Sequence, residues 1–203
     1  VWPKKVAELT KKRFTPSLTE LEVAHGLHQL SEGFEIFLGN SLGVRLVDMV
    51  SQSANSKVYS NRGASGIDGL IATSAGVSAA GSKPTLTLIG DTSLLHDLNS
   101  LALMRQQSNI IVVINNDGGG IFSTLPQRGS HGFETVFGTP HGLNPAEIAK
   151  SMGVCAKQIS SLKELEAEVK SPISGISVVV CDVPDRESNA DNLKAIYDSL
   201  KSF

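Results

Sequence analysis

The sequence predicts an α/β fold, doubly wound, with about six mostly parallel strands and helices on both faces. Three observations carry this. Short apolar runs alternate with helix-length segments along the whole chain. The runs at residues 85–89 (TLTLI), 110–114 (IIVVI) and 176–181 (ISVVVC) are almost unbroken, as strands covered on both faces are. Strand after strand ends on glycine with small polar residues: Gly39-Asn40-Ser41, Gly90-Asp91, Asn115-Asn116-Asp117. Open parallel sheets bind ligands at such ends.

In chain order, residues 4–13 read as a short basic helix that Pro16 stops. Ser17-Leu18-Thr19-Glu20 has the pattern of a capping box, and Leu18, Leu21, Leu27 and Leu30 follow at near-helical spacing until Gly33. Residues 34–38 form a strand, and Gly39-Asn40-Ser41 opens a helix that turns Val44, Val47 and Met49 inward. A short strand at 57–59 leads through a glycine-rich turn, 60–66, into an Ala/Gly-rich helix over 67–80. The strands at 85–89 and 110–114 flank a helical stretch. Residues 128–144 have four glycines and no periodicity, and read as a long loop. Asn144-Pro145-Ala146-Glu147 restarts a helix. A strand at 154–158, a helix capped by Ser161, the strand at 176–181 and a helix over 189–202 complete the chain.

The chain has 203 residues, 40% hydrophobic and 5% aromatic, with a net charge of −2. That supports one large or two small aliphatic-cored domains. The charge offers nothing to hold a polyanion, so nucleic acid is excluded as a partner. The cluster Lys4, Lys5, Lys11, Lys12 and Arg13 reads as a solvated helix face. Cys155 and Cys181 lie in apolar runs without metal-ligand spacing, and are expected to be buried thiols in a reducing compartment. No apolar run is long enough to span a bilayer. The chain opens on Val1-Trp2-Pro3 without Met, which suggests a piece of a longer polypeptide.

The chemistry concentrates between Gly90 and Phe122. Asp91 offers a carboxylate, Asn116 an amide oxygen and the turn at Gly118 a main-chain carbonyl. These are hard oxygen donors with too little charge for an all-protein cage. Magnesium accepts such a partial set and completes it with phosphate oxygens and water. Exposed amides at Gly39-Asn40-Ser41 suit an anion at a helix start, although Ser41 and Ser93 equally fit plain caps. His96, His131 and His141 have no second ligand at zinc spacing and read as non-ligands.

GD, a spacer and then NN is the signature of thiamine-diphosphate enzymes. FLGNSLGVRLVD (37–48), SNRGASGIDGL (60–70), GDTSLLHDLNSLAL (90–103) and NNDGGGIFSTLP (115–126) narrow it. Together they resemble the C-terminal, cofactor-binding (PP-type) domain of the MenD family, the 2-succinyl-5-enolpyruvyl-6-hydroxy-3-cyclohexene-1-carboxylate synthases of menaquinone and phylloquinone synthesis. The GD-to-NN interval is slightly shorter than the family pattern. The resemblance divides the chain into a linker or helix of a preceding domain (1–16) and the thiamine-diphosphate domain (17–203). It implies thiamine diphosphate and Mg²⁺ as cofactors, with Mn²⁺ as a substitute. The implied metal ligands are Asp91, Asn116 and Gly118. Asn40, Ser41, Arg62, Ser65, Gly66, Ile67, Gly90, Thr92 and Ser93 join them around the cofactor. Ile67 takes the place of the bulky residue that presses the pyrimidine towards the thiazolium. Arg45 and Arg62 grip the carboxylates of 2-oxoglutarate and isochorismate, as arginine forks do. Alone, Arg45 reads as a surface ion pair with Asp48. Ile121, Phe122 and Leu125 form an apolar wall beside isochorismate, or on composition alone plain core. Catalytic roles fall to Arg45, Arg62 and Ile67.

The resemblance also implies a homodimer or homotetramer, and an activating glutamate on a separate domain. By itself this chain is then expected to be inactive. A cytoplasmic enzyme is expected, with a plastid fusion as the alternative. Two other readings fit the same residues: another 2-oxo acid decarboxylase or carboligase, such as a relative of acetohydroxyacid synthase, and a catalytically silent scaffold.

Overall fold

Strands β1 (Glu35–Leu38), β2 (Val58–Tyr59), β3 (Thr85–Gly90), β4 (Asn109–Asn115), β5 (Cys155–Ile159) and β6 (Ile176–Asp182) form one all-parallel sheet in the order β2-β1-β3-β4-β6-β5. This computed structural model describes residues 4–5, 8, 18–51, 56–61, 63–104 and 106–201. The helix expected at 4–13, the linker expected at 1–16, Ser17 and Arg62 lie wholly or mostly outside those residues.

Alternation along each strand splits the core into two layers. Ile110, Val112 and Ile114 of β4 face α1 (Glu20–Gln29), α2 (Leu42–Val50), α6 (Leu162–Lys170) and α7 (Arg186–Lys201). Ile111 and Val113 face α3 (Leu70–Ala80), α4 (Asp91–His96) and α5 (Pro145–Ser151). The sheet is therefore covered on both faces, which is why its central strands read as unbroken apolar runs.

The helix starts follow local chemistry. The capping box is Thr19 with Glu22, two residues beyond the expected one: the Thr19 hydroxyl accepts from the Glu22 amide, and Glu22 accepts from the Thr19 amide at 2.9 Å. Asn144 caps α5 by accepting from Ala146 and Glu147, and Ser161 caps α6. In α2 the fully buried residues are Leu46, Val47 and Val50, while Val44 and Met49 are only half-buried. α3 starts at Leu70, so Ile67 precedes it. The stretch after α4 tightens into a 3-10 helix, Leu98–Met104. The expected loop at 128–144 contains a helical turn, Glu134–Gly138. Cys155 corrects another expectation: it stands at the edge strand and is exposed. Cys181 is buried, and burial pushes its thiol well above the ordinary range.

One polar feature sits inside the second layer. Ser74 on α3, Thr87 on β3 and Asn109 on β4 are all 0% exposed and close a triangle: Ser74 Oγ to Thr87 Oγ1 at 2.5 Å, Thr87 Oγ1 to Asn109 Oδ1 at 3.1 Å and Asn109 Nδ2 to Ser74 Oγ at 2.8 Å. Each side chain satisfies the other two. Thr87→Val keeps the shape but leaves Asn109 Oδ1 without a donor and takes one of the two bonds of Ser74 Oγ. It should cost about 1–3 kcal/mol, read as a lower urea midpoint at unchanged m-value.

Candidate functional site

The chain runs from β1 outward to β2, then returns to β3 on the other side of β1. α2 and α3 consequently pack on opposite faces. A crevice opens where they diverge, at the carboxyl ends of β1 and β3. A cavity of about 370 Å³ lies there.

Its lining comes from five short segments. β1 hands over to Asn40 and Ser41, and α2 contributes Leu42, Gly43 and Arg45. The turn before α3 gives Ser65 and Ile67. The end of β3 gives Gly90, Asp91, Thr92 and Ser93. The end of β4 and its glycine turn give Ile114, Asn116, Gly118, Gly119, Gly120, Ile121 and Phe122. Glu20, at the start of α1, completes the wall.

Most sequence-predicted residues thus meet in one cavity. Gly66 stands just behind it, its carbonyl accepting from Asn40 Nδ2 at 2.7 Å. Leu125 lies apart, 39% exposed beyond the 3-10 turn Gly120–Thr124. Arg62 is outside the described residues. Arg45 is exposed, and its guanidinium donates to the Ser41 carbonyl one turn back rather than pairing with Asp48.

Asp91 is the most constrained group. Only 1% exposed, it joins the ends of β3 and β4: the Gly118 amide donates to Asp91 Oδ2 at 3.0 Å. His141 Nε2 reaches the same oxygen at 3.2 Å, and the Thr92 amide and hydroxyl reach Oδ1 at 2.6 and 3.2 Å. His141 Nδ1 accepts from the Leu143 amide at 3.0 Å, so Nε2 carries the proton and donates. Asp117 turns the other way. Burial opposes its charge, but the Gly142 and His141 amides outweigh that and hold its carboxyl below the ordinary value.

Asn116 donates Nδ2 to Glu20 Oε1 at 2.5 Å, and its buried Oδ1 has no partner. Asn40 Oδ1 is likewise buried without a partner. Burial pushes the Glu20 carboxyl up to about 7, against the Asn116 hydrogen bond and with help from the Asp91 charge. Two unpartnered amide oxygens beside a buried carboxylate fit a hard cation in this cavity. The glycines are needed for the turn. Gly118 has φ +129°, and a Cβ there would lie 2.2 Å from the Gly138 carbonyl oxygen.

Sequence reasoning missed Glu20 and the reach of His141. Glu20 looks like any acid in a first helical turn, and His141 lies in a segment without periodicity. Neither carries a local signal for a contact made 96 or 50 residues away.

The comparisons agree with this geometry. The chain is 51% identical over 158 residues to the 2-succinyl-5-enolpyruvyl-6-hydroxy-3-cyclohexene-1-carboxylate synthase of Vibrio cholerae, covering 75% of this chain and 28% of that protein. It is 40% identical over 193 residues to the enzyme of the same name from Photobacterium profundum, covering 93% of this chain and 33% of the other. The chain therefore spans about a third of the length of these curated relatives. Among solved structures, a thiamine diphosphate-dependent 4-hydroxybenzoylformate decarboxylase from Rhodococcus jostii RHA1 superposes with a TM-score of 0.66 at 15% identity, over 86% of this chain and 34% of that one. A benzoylformate decarboxylase from Polynucleobacter necessarius gives 0.62 at 20%, over 81% and 33%. These two share the fold. Residues 43–183, the span from the start of α2 to just past β6, match the family described as thiamine pyrophosphate enzyme, C-terminal TPP binding domain, and to that family this chain belongs.

Proposed function

We propose that this chain is the Mg²⁺–thiamine diphosphate-binding part of a synthase that decarboxylates 2-oxoglutarate and adds the resulting four-carbon unit to isochorismate. The observation that carries the reading is the cavity that gathers Asp91, Asn116, the Gly118 turn and the start of α2, with Asn116 Oδ1 left unpartnered inside. The names and identities of the curated relatives support the substrate assignment.

The residues present divide the work. Asp91, Asn116 Oδ1 and the Gly118 carbonyl would hold the cation, with Mn²⁺ as a substitute for Mg²⁺. The α2 start, with Asn40 and Ser41, would take the diphosphate through amides and dipole, beside Thr92 and Ser93. Ile67 would support the ring system, with Ser65 and Gly66 offering main-chain contacts to it. Bound there, thiamine diphosphate supplies the electron sink that lets a 2-oxo acid lose carbon dioxide. Arg45 would exchange its bond to the Ser41 carbonyl for a substrate carboxylate, which is the stronger, charge-assisted partner. Arg62 keeps the same assignment from its place in SNRGASGID. Ile121 and Phe122 would give an apolar wall that excludes water from the reacting carbons, with Leu125 at its outer end. The remaining groups, an activating glutamate among them, would come from outside these 203 residues, through the other domains and a homodimeric or homotetrameric assembly.

Isothermal titration tests the cofactor reading. Thiamine diphosphate should bind this chain weakly with Mg²⁺, not at all in chelator, and not to Asp91→Ala. Metal-independent binding, or none to the wild type, would point to a scaffold. The chain alone should release no carbon dioxide from 2-oxoglutarate. Joined to the other domains of such a synthase, turnover should require isochorismate as acceptor. Turnover of 2-oxo acids without it would mark a different decarboxylase or carboligase. In that assembly Arg45→Ala should lower kcat/KM about ten- to a hundredfold, the worth of a charged hydrogen bond.

A further inference from the structure

Glu20 is 4% exposed and lines the cavity, yet the division of work above leaves it without a task. Its position is built from three distant parts of the chain. The capping box of Thr19 and Glu22 fixes its backbone at the first turn of α1. Asn189 of α7 accepts from the Glu20 amide at 3.4 Å, and is itself tied to the carbonyls of Pro184 and Asp185. The carboxylate then meets Asn116, 96 residues away, at 2.5 Å. Gly120 leaves the room for that pair: a Cβ there would lie 2.3 Å from Asn116 Nδ2 and 3.4 Å from Glu20 Oε1.

An asparagine side chain has an oxygen end and a nitrogen end of nearly the same shape, and only the oxygen end has a lone pair for a cation. In its ionised form a carboxylate beside it removes the ambiguity, because it then accepts and does not donate. The reversed amide would set two oxygens against each other. With Nδ2 committed to Glu20, Oδ1 is the end left over, and Oδ1 is the buried atom without a partner.

We propose that Glu20 is a positioning residue of the cation site: by taking the Asn116 amide nitrogen, it makes Asn116 present oxygen to the metal. This rests on the magnesium–diphosphate reading of the cavity. Partners of this kind, one bond removed from the ion, orient ligands in many metal sites.

The test is equilibrium dialysis of Mn²⁺ into this chain at fixed, excess thiamine diphosphate, with thermal midpoints of the metal-free proteins measured alongside. Glu20→Met fills the same space without an acceptor and should weaken Mn²⁺ binding about 10–100-fold. Glu20→Gln retains an oxygen acceptor and the side chain's length, and should stay closer to wild type than to Asn116→Ala. In an Asn116→Ala background, Glu20→Met should cost nothing further, since its effect passes through Asn116. The proposal is overturned by unchanged Mn²⁺ affinity in Glu20→Met, by equal losses in both backgrounds, or by Glu20→Gln binding as poorly as Asn116→Ala. The last outcome stands even where Glu20→Met does not fold. A lowered thermal midpoint with intact Mn²⁺ affinity assigns Glu20 a merely structural role and overturns it too. If the wild-type chain takes up no Mn²⁺, the reading of the cavity itself fails.

Discussion

The bond from the Gly118 amide to the Asp91 carboxylate closes the end of β3 onto the end of β4, and the geometry of the cavity depends on it. It exists because the two strands pair in parallel and in register, with Gly90 beside Ile114. Parallel pairing puts both carboxyl ends at one edge. The six-residue strand then delivers Asp91, and the seven-residue strand delivers Asn116 and the glycine turn. An antiparallel pair would put these groups at opposite edges of the sheet. Apolar burial on both faces is what holds the strands at that register. A one-residue slip would exchange the Ile110–Val112–Ile114 face for the Ile111–Val113 face along β4.

The long segment after the glycine turn is shaped by that same edge. Arg186 donates to the Asp117 carbonyl and to Glu134, and Arg128 reaches Glu187 and Asp191 of α7. Phe122, Phe137 and Phe133 stack in sequence, with centroids 5.5 and 5.8 Å apart. The Gly119 amide donates to the Gly138 carbonyl at 2.8 Å. These ties fold residues 125–144 back over the turn, and their endpoint is the His141 ring on Asp91. The carboxylate therefore meets four donors, two from the main chain. None of these four donors belongs to the ladder of β3 and β4, which ends at Gly90 and Ile114.

What the sequence made legible follows from the range of the interaction involved. Strands buried on both faces announce themselves, because their residues at 85–89 and 110–114 answer to two apolar layers at once. Glycine and Asn/Asp at strand ends are local too, so Asn40, Asp91, Asn116 and Gly118 could be picked out and do meet in one cavity. On α2 the expected Val47 is buried and Val44 and Met49 pack against the core, but the deepest positions, Leu46 and Val50, were not singled out. Cys155 was expected inside because its neighbours are apolar. Its strand lies at the edge of the sheet, and strand order is not written in any local run. Glu20 and His141 were invisible for the same reason.

The backbone gives a witness to the site that owes nothing to likeness. Among the described residues, the non-glycine positions with positive φ are Ser41 (73°), Ser65 (57°), Asp117 (61°) and Thr139 (42°). Each such residue costs about 1–3 kcal/mol and persists only where its surroundings enforce it. Ser41 and Ser65 line the cavity, and Asp117 is the link between Asn116 and Gly118. At Ser41 the unusual φ lies immediately before α2, and at Asp117 between two of the groups suited to a cation. At Ser41 and Ser65 the conformations that oppose folding stand where a ligand would use them.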